Sequence, residues 1–174
     1  MTNNNDFNAA LERLRSGVYI VTSMYRRELG GCTCVWVTRT SFEPPLVAVC
    51  LAPIRHTLRI IEQGKRFCVN IVGESGLSVA RHFGSISGTT KKKFIEVASH
   101  RGKSGSPILG AAVAYLDCQL VSITPAGDHR LVLGEIIDAA VQSAEQPLIY
   151  DQEAFFPEGE EPQHIEQANH HSHG

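Results

Sequence analysis

Six strand-like runs crowd this chain and leave little room for anything else to organise its fold. "VYIVTSM" (18–24), "CTCVWVTRT" (32–40), "LVAVCLA" (46–52), "RFCVNIV" (66–72), "AAVAYLDCQLVSI" (111–123) and "RLVLGEIIDAAV" (130–141) are rich in β-branched residues and bounded by Gly, Pro, Asp or Ser. The segments with helical signals, "HTLRIIEQG" (56–64), "SGLSVARHFG" (75–84) and "KKKFIEVA" (91–98), are short and do not alternate regularly with the strands. "TPAGDH" joins the last two long runs tightly enough for antiparallel pairing. A small domain with this many strands avoids exposed edges most simply by closing its sheet. The expected fold is mainly β (α+β): a mostly antiparallel barrel with short peripheral helices.

A chain of 174 residues, 43% of them hydrophobic, can bury one core and is too short to promise two. Residues 1–156 are expected to form that domain, entered by a short amphipathic helix carrying Phe7, Ala10, Leu11 and Leu14 after Asp6. Residues 157–174, "PEGEEPQHIEQANHHSHG", are polar and aperiodic and are expected to form a flexible tail. The net charge of −2 is spread along the chain, with one short basic run at Lys91, Lys92 and Lys93, so no nucleic-acid partner is expected. No apolar run approaches the length of a membrane span and the N-terminus has no secretory pattern, which points to a cytoplasmic protein with no membrane partner. Five cysteines, Cys32, Cys34, Cys50, Cys68 and Cys118, lie mostly in strand-like runs and suit reduced core thiols. No metal site is expected from the C-x-C at 32–34, nor from His164, His170, His171 and His173 in the tail.

Several motifs narrow the chemistry. "VASHRGKS" (97–104) ends like a phosphate-binding loop, but Val97 stands where that loop needs its first glycine, so it reads as a solvated loop. No G-x-G-x-x-G follows a strand, so a nicotinamide cofactor would not sit on a Rossmann unit. "GESGLS" (73–78) does not match a nucleophile elbow and is better suited to capping a helix. In "APIRHTLRI" (52–60), Pro53 stops a strand and Thr57 can start a helix. Free backbone N–H groups beside Arg55 and His56 would favour a phosphate, and an ordinary capped helix fits the same spacing. "SFEPPLVAVC" (41–50) puts Pro44 and Pro45 between two strands, a corner where neither residue can donate to a ladder.

Taken in order, "GCTCVWVTRTSFEPPLVAVCLAP", "HTLRIIEQGKRFCVNIV", "VARHFG", "GSPILGAAVAYLDCQL", "GDHRLVLGEI" and "PLIYDQEAFF" resemble the flavin reductase-like, FMN-binding split-barrel family from about Leu11 to Phe156. The resemblance implies a split β-barrel, a homodimer, and FMN (or FAD) reduced by NADH or NADPH, often for a partner monooxygenase. It implies that Thr33, Val35, Trp36, Val37 and Thr38 line the flavin, with Cys50, Leu51 and Ala52 on the following strand. Arg55, His56 and Thr57 would approach the phosphate. Asn70 would belong to the same site, and His82, Phe83 and Gly84 to a later edge of the pocket. Gly127, Asp128 and His129 match the family's nicotinamide motif, although Gly and Asp alone would also suit a hairpin turn. The Pro44-Pro45 corner would then keep two cofactor-facing strands in fixed relative placement.

One departure stands out. Family members often carry Ser-Ser-Phe where this chain has Val35-Trp36-Val37, so a large indole replaces small hydroxyls. Trp36 could stack beside the isoalloxazine and favour tightly held FMN, or it could pack in the core, the commoner fate of a lone Trp. Hydride transfer between two cofactors needs positioning more than side-chain chemistry, so no catalytic acid or base is expected. An FMN-binding electron carrier without a nicotinamide site, and a reductase of a metal or corrinoid acceptor, are the alternative readings.

Overall fold

The computed structural model describes residues 4–85 and 91–156. The expected tail, with its four histidines, lies outside the described residues.

A seven-stranded antiparallel sheet runs in the order β2 (Glu28–Cys34), β1 (Tyr19–Tyr25), β5 (Arg66–Val72), β8 (Ala112–Ala126), β9 (His129–Val141), β4 (Leu46–Leu51), β3 (Val37–Ser41). A separate hairpin pairs β6 (Ser99–Arg101) with β7 (Pro107–Leu109). The mostly antiparallel expectation is met, but the sheet is not closed into a barrel. Its edges β2 and β3 are consecutive in the chain, and no ladder joins them. The gap is bridged at one end, where the Cys50 N–H donates to the Trp36 carbonyl at 3.0 Å and the Cys34 thiol reaches the Cys50 carbonyl at 3.3 Å. Helix α2 (His56–Gly64) packs across β1 and β2 on the inner side of the curled sheet.

Two apolar cores follow from the period-two alternation of the strands. Val21 faces the inside of the curled sheet with Cys32, Val49, Phe67 and Val132, and Leu58 and Ile61 of α2 plug that interior. Its neighbour Ile20 faces the other way, toward Ala80 and Phe83 of α3 (Leu77–Ser85), Leu109 of β7 and Phe155 of α5 (Gln152–Phe155). Strand β1 is therefore buried on both faces.

Two glycines of β2 make room for both helices. A Cβ on Gly30 would lie 2.9 Å from the Cα of Thr57 in α2, and one on Gly31 would lie 2.6 Å from the Phe83 ring of α3. Helix α2 starts at His56 with Arg55 in the extended cap position. Thr57 does not start it as the sequence suggested: it lies in the first turn, buried. The helix ends on Lys65, whose left-handed backbone (φ 56°) lets its N–H reach the Ile61 carbonyl at 2.8 Å.

Strand bounds differ from expectation in one important place. The run 32–40 is two strands, broken at Val35 and Trp36, because the Trp36 carbonyl turns inward to Cys50. The expected helix at 91–98 is one turn, α4 (Lys91–Phe94). The "GKS" segment is not a solvated loop: Ser104 and Ser106 are buried, and Ser104 is bound to Asp117 of β8. Helix α1 (Asn4–Leu11) leaves Phe7 and Leu11 exposed.

Candidate functional site

Four segments converge at the end of the sheet where β2 runs into β3. Strand β3 pairs with β4 (Val37 opposite Val49) and β4 pairs with β9 (Leu51 opposite Arg130), which puts the β8–β9 turn near the start of β3. That turn is made by Gly127, whose φ of 62° suits glycine, and Asp128. Across it the rings of Trp36 and His129 meet with centroids 4.8 Å apart. The His129 Nδ1 lies 2.7 Å from an Asp128 carboxylate oxygen, and this contact holds the Asp128 carboxyl below its ordinary pKa. Trp36 is 55% exposed and does not pack in the core.

On the opposite side, the Arg55 guanidinium donates to the Gly84 carbonyl at 3.4 Å, and a Cβ on Gly84 would lie 3.6 Å from Thr33, so α3 and the end of β2 form one wall. The Thr33 hydroxyl donates to the Ala80 carbonyl at 2.5 Å and so braces that wall. Lys93, 3% exposed, gives its ammonium to the carbonyls of Phe83 (2.9 Å) and Gly31 (3.2 Å) and has no carboxylate partner among the described residues. Burial, reinforced by Arg55, pushes the Lys93 pKa down to about 8, while Cys32 opposes the shift. No side chain caps α2 at Arg55, so the first amides of that helix and two neighbouring cations offer an anion a place to bind.

Other expected site residues are placed differently. Asn70 is fully buried, and its amide is committed to the Ile20 carbonyl (3.0 Å), the Thr22 hydroxyl (3.0 Å) and the Leu109 N–H (2.8 Å). Leu51 and Phe83 are core residues, and Phe83 stacks edge-on with Phe94 at 5.2 Å. His56 turns toward Glu28 (3.4 Å) and Arg59 (3.1 Å), and the His82 Nε2 lies 3.1 Å from the Lys93 carbonyl, holding α4 on α3. Val35, Val37, Cys50 and Ala52 are half-buried and Thr38 is exposed along the junction. Lys93 was not legible as a site residue, because within "KKK" nothing marks one lysine as the buried one.

The chemistry open to this site is binding and positioning. All five cysteines are free, and burial raises the thiol pKa at Cys32 and Cys50 and takes Cys34 to about 12, so none is a ready thiolate nucleophile. Among the described residues no three His, Cys, Asp or Glu side chains form a group that could hold a metal ion.

The model of the flavin reductase like domain matches residues 11–159. The chain belongs to the flavin reductase-like family. It is 32% identical over 145 residues to a flavin reductase of Pseudomonas putida, covering 83% of this chain and 84% of that one. It is 31% identical over 141 residues to the reductase subunit HsaB of a flavin-dependent monooxygenase from Mycobacterium tuberculosis, covering 81% and 74%. Identity to diflavin flavoprotein A 1 of Synechocystis is also 31% over 141 residues, but the match spans 80% of this chain and only 25% of that longer protein. The fold superposes on the NADH:FAD oxidoreductase SgcE6 of Streptomyces globisporus with a TM-score of 0.77 at 26% identity, covering 86% of this chain and 90% of that one.

Proposed function

We propose that this chain is an NAD(P)H-dependent flavin reductase that binds FMN and passes reduced flavin or its electrons to a partner monooxygenase. The observation that carries the reading is the Trp36–His129 contact, which joins the flavin-lining segment to the nicotinamide motif in one place. The residues fit a phosphorylated flavin: Arg55, Lys93 and the uncapped start of α2 supply positive potential, and the nearby Glu28 carboxylate is taken up by His56 and Arg59.

In this mechanism Arg55, Lys93 and the α2 amides hold the phosphate. The backbone from Thr33 to Thr38 and from Cys50 to Ala52 lines the ring, while Gly127, Asp128 and His129 receive the nicotinamide. Bound flavin would supply the redox chemistry, accepting hydride from the nucleotide. The chain's own contribution would be to hold the flavin and the nicotinamide close together and to limit water between them. The residues present call for no side-chain acid or base.

FMN rather than FAD is the proposed resident flavin, because the paired cations lie within one compact site. The proposed assembly is a homodimer, for which the exposed Leu14 and Phe42 offer apolar surface. A cytoplasmic location is part of the same reading and agrees with five unpaired thiols. Among the described residues no helix is long and apolar enough to cross a membrane.

The test is direct. Purified protein should bind FMN, measured by quenching of flavin fluorescence, and should oxidise NADH or NADPH only when flavin is added. A preparation that takes up no flavin and consumes neither nucleotide removes the proposal. FMN that binds and stays yellow under anaerobic NADH and NADPH would instead indicate an electron carrier.

A further inference from the structure

We infer that Trp36 is a positioning residue for the nicotinamide site, acting through His129. This rests on the reductase reading above and adds to it a residue whose identity the family's usual Ser-Ser-Phe pattern does not supply.

The geometry is specific. Trp36 stands at the break between β2 and β3, and its carbonyl is held inward by the Cys50 N–H at 3.0 Å, which fixes the backbone and leaves the indole outside the core. The indole meets the His129 ring at a centroid distance of 4.8 Å and a tilt of 53°. The other face of the histidine's environment is polar. Asp128 takes the Nδ1 side at 2.7 Å, and Arg130 donates to the His129 carbonyl at 3.1 Å. Cys50, on the strand between them, keeps its thiol neutral because burial raises its pKa.

With Nδ1 bound to a carboxylate, Nε2 is the nitrogen left for a ligand. One hydrogen bond leaves the imidazole free to swing about it, since Asp128 is itself largely exposed. The indole removes that freedom. An edge or tilted aromatic contact restricts the ring's rotation and presents Nε2 in one direction before the nucleotide arrives. A small hydroxyl at this position could not do so.

Trp36 is the only tryptophan in the sequence, so the contact reports on itself. A touching imidazole alters the emission of an indole. The emission of the full-length protein without flavin or nucleotide should therefore change in intensity when the contact is removed in His129→Gln. Trp36→Ser should raise the nucleotide KM about tenfold while FMN affinity changes less than about twofold, and Trp36→Phe should restore most of the loss.

Tryptophan emission that is unchanged in His129→Gln overturns the inference. Equal losses of nucleotide and FMN binding in Trp36→Ser, unrepaired by Phe, would make the indole a flavin platform and overturn it as well. Failure of the underlying reading looks different: His129→Gln still changes the tryptophan emission and the wild type consumes no nucleotide, which removes the positioning role along with the reductase.

Discussion

The Ser104 hydroxyl donates to the buried carboxylate of Asp117 at 2.5 Å, and the Ser104 N–H donates to the same group at 2.6 Å. Asp117 is thereby the anchor that ties the loop between β6 and β7 to the middle of β8. The Arg66 guanidinium closes the arrangement from β5 by donating to the Ser104 carbonyl at 2.5 Å. The neighbouring thiols of Cys68 and Cys118 are pushed upward, first by burial and then by the Asp117 charge.

Removing that carboxylate should cost stability and leave the site's chemistry intact. Asp117→Ala strands two donors in a dry interior and is expected to lower the unfolding free energy by about 3 kcal/mol. Urea denaturation measures it. A loss below about 0.5 kcal/mol, the scale of an ordinary surface substitution, would mean water replaces the carboxylate freely.

Asn70 separates a structural role from the ligand role its sequence context suggests. Its amide bridges β1 and β7 inside the core, so Asn70→Ala should destabilise by about 2 kcal/mol. FMN affinity measured on the folded variant should fall less than in Arg55→Ala. A larger loss of FMN than Arg55→Ala produces would put Asn70 against the ligand.

Lys93 gives a pH prediction with a definite sign. Its folded pKa, about 8, lies below the ordinary value of 10.5, so between those limits the unfolded chain holds the extra proton. Stability therefore rises with pH across that window, whereas below it the buried ammonium imposes its full penalty, about 3 kcal/mol. The raised thiols act oppositely above their ordinary pKa, so the readout is the difference between wild type and Lys93→Met, in which the thiols cancel. That difference should shift in favour of the wild type from pH 8 upward. FMN binding should weaken over the same range as the cation is lost, and a pH-independent affinity would exclude Lys93 from the phosphate site.

Much of the sheet was legible because strand chemistry is local. The runs at 66–72 and 130–141 lie within a residue of β5 and β9, and Gly127 marked the hairpin that joins β8 to β9. The break at Val35 and Trp36 was not legible, since "CTCVWVTRT" has unbroken β character and only the distant Cys50 N–H turns the chain there. The β6–β7 hairpin escaped notice for a related reason: its strands are three residues each, and its connecting loop is held by Asp117 from another strand. The open gap between β2 and β3 was hidden too, because the seating of α2 inside the curled sheet depends on Gly30 admitting the helix backbone. At the site, residue types were readable and their depth was not. For Trp36 the sequence left a place beside the flavin and a place in the core both open, and the indole lies outside the core, whereas Asn70 was assigned to the ligand site and lies inside the core.

The nicotinamide assignment is tested most sharply at His129. Its ring is held by Asp128 on one side and Trp36 on the other, and it is the first residue of β9, paired with Ala126 through the backbone, so the ladder does not depend on its side chain. Substitution should therefore spare the fold and strike binding of one substrate. His129→Ala is expected to raise the nucleotide KM about tenfold, with the FMN dissociation constant changed less than about twofold and the unfolding midpoint nearly unmoved. Steady-state kinetics at saturating FMN, beside a flavin titration, measures both. If KM and FMN affinity deteriorate together, the imidazole supports the whole pocket; if neither changes, the turn takes no part in nucleotide recognition.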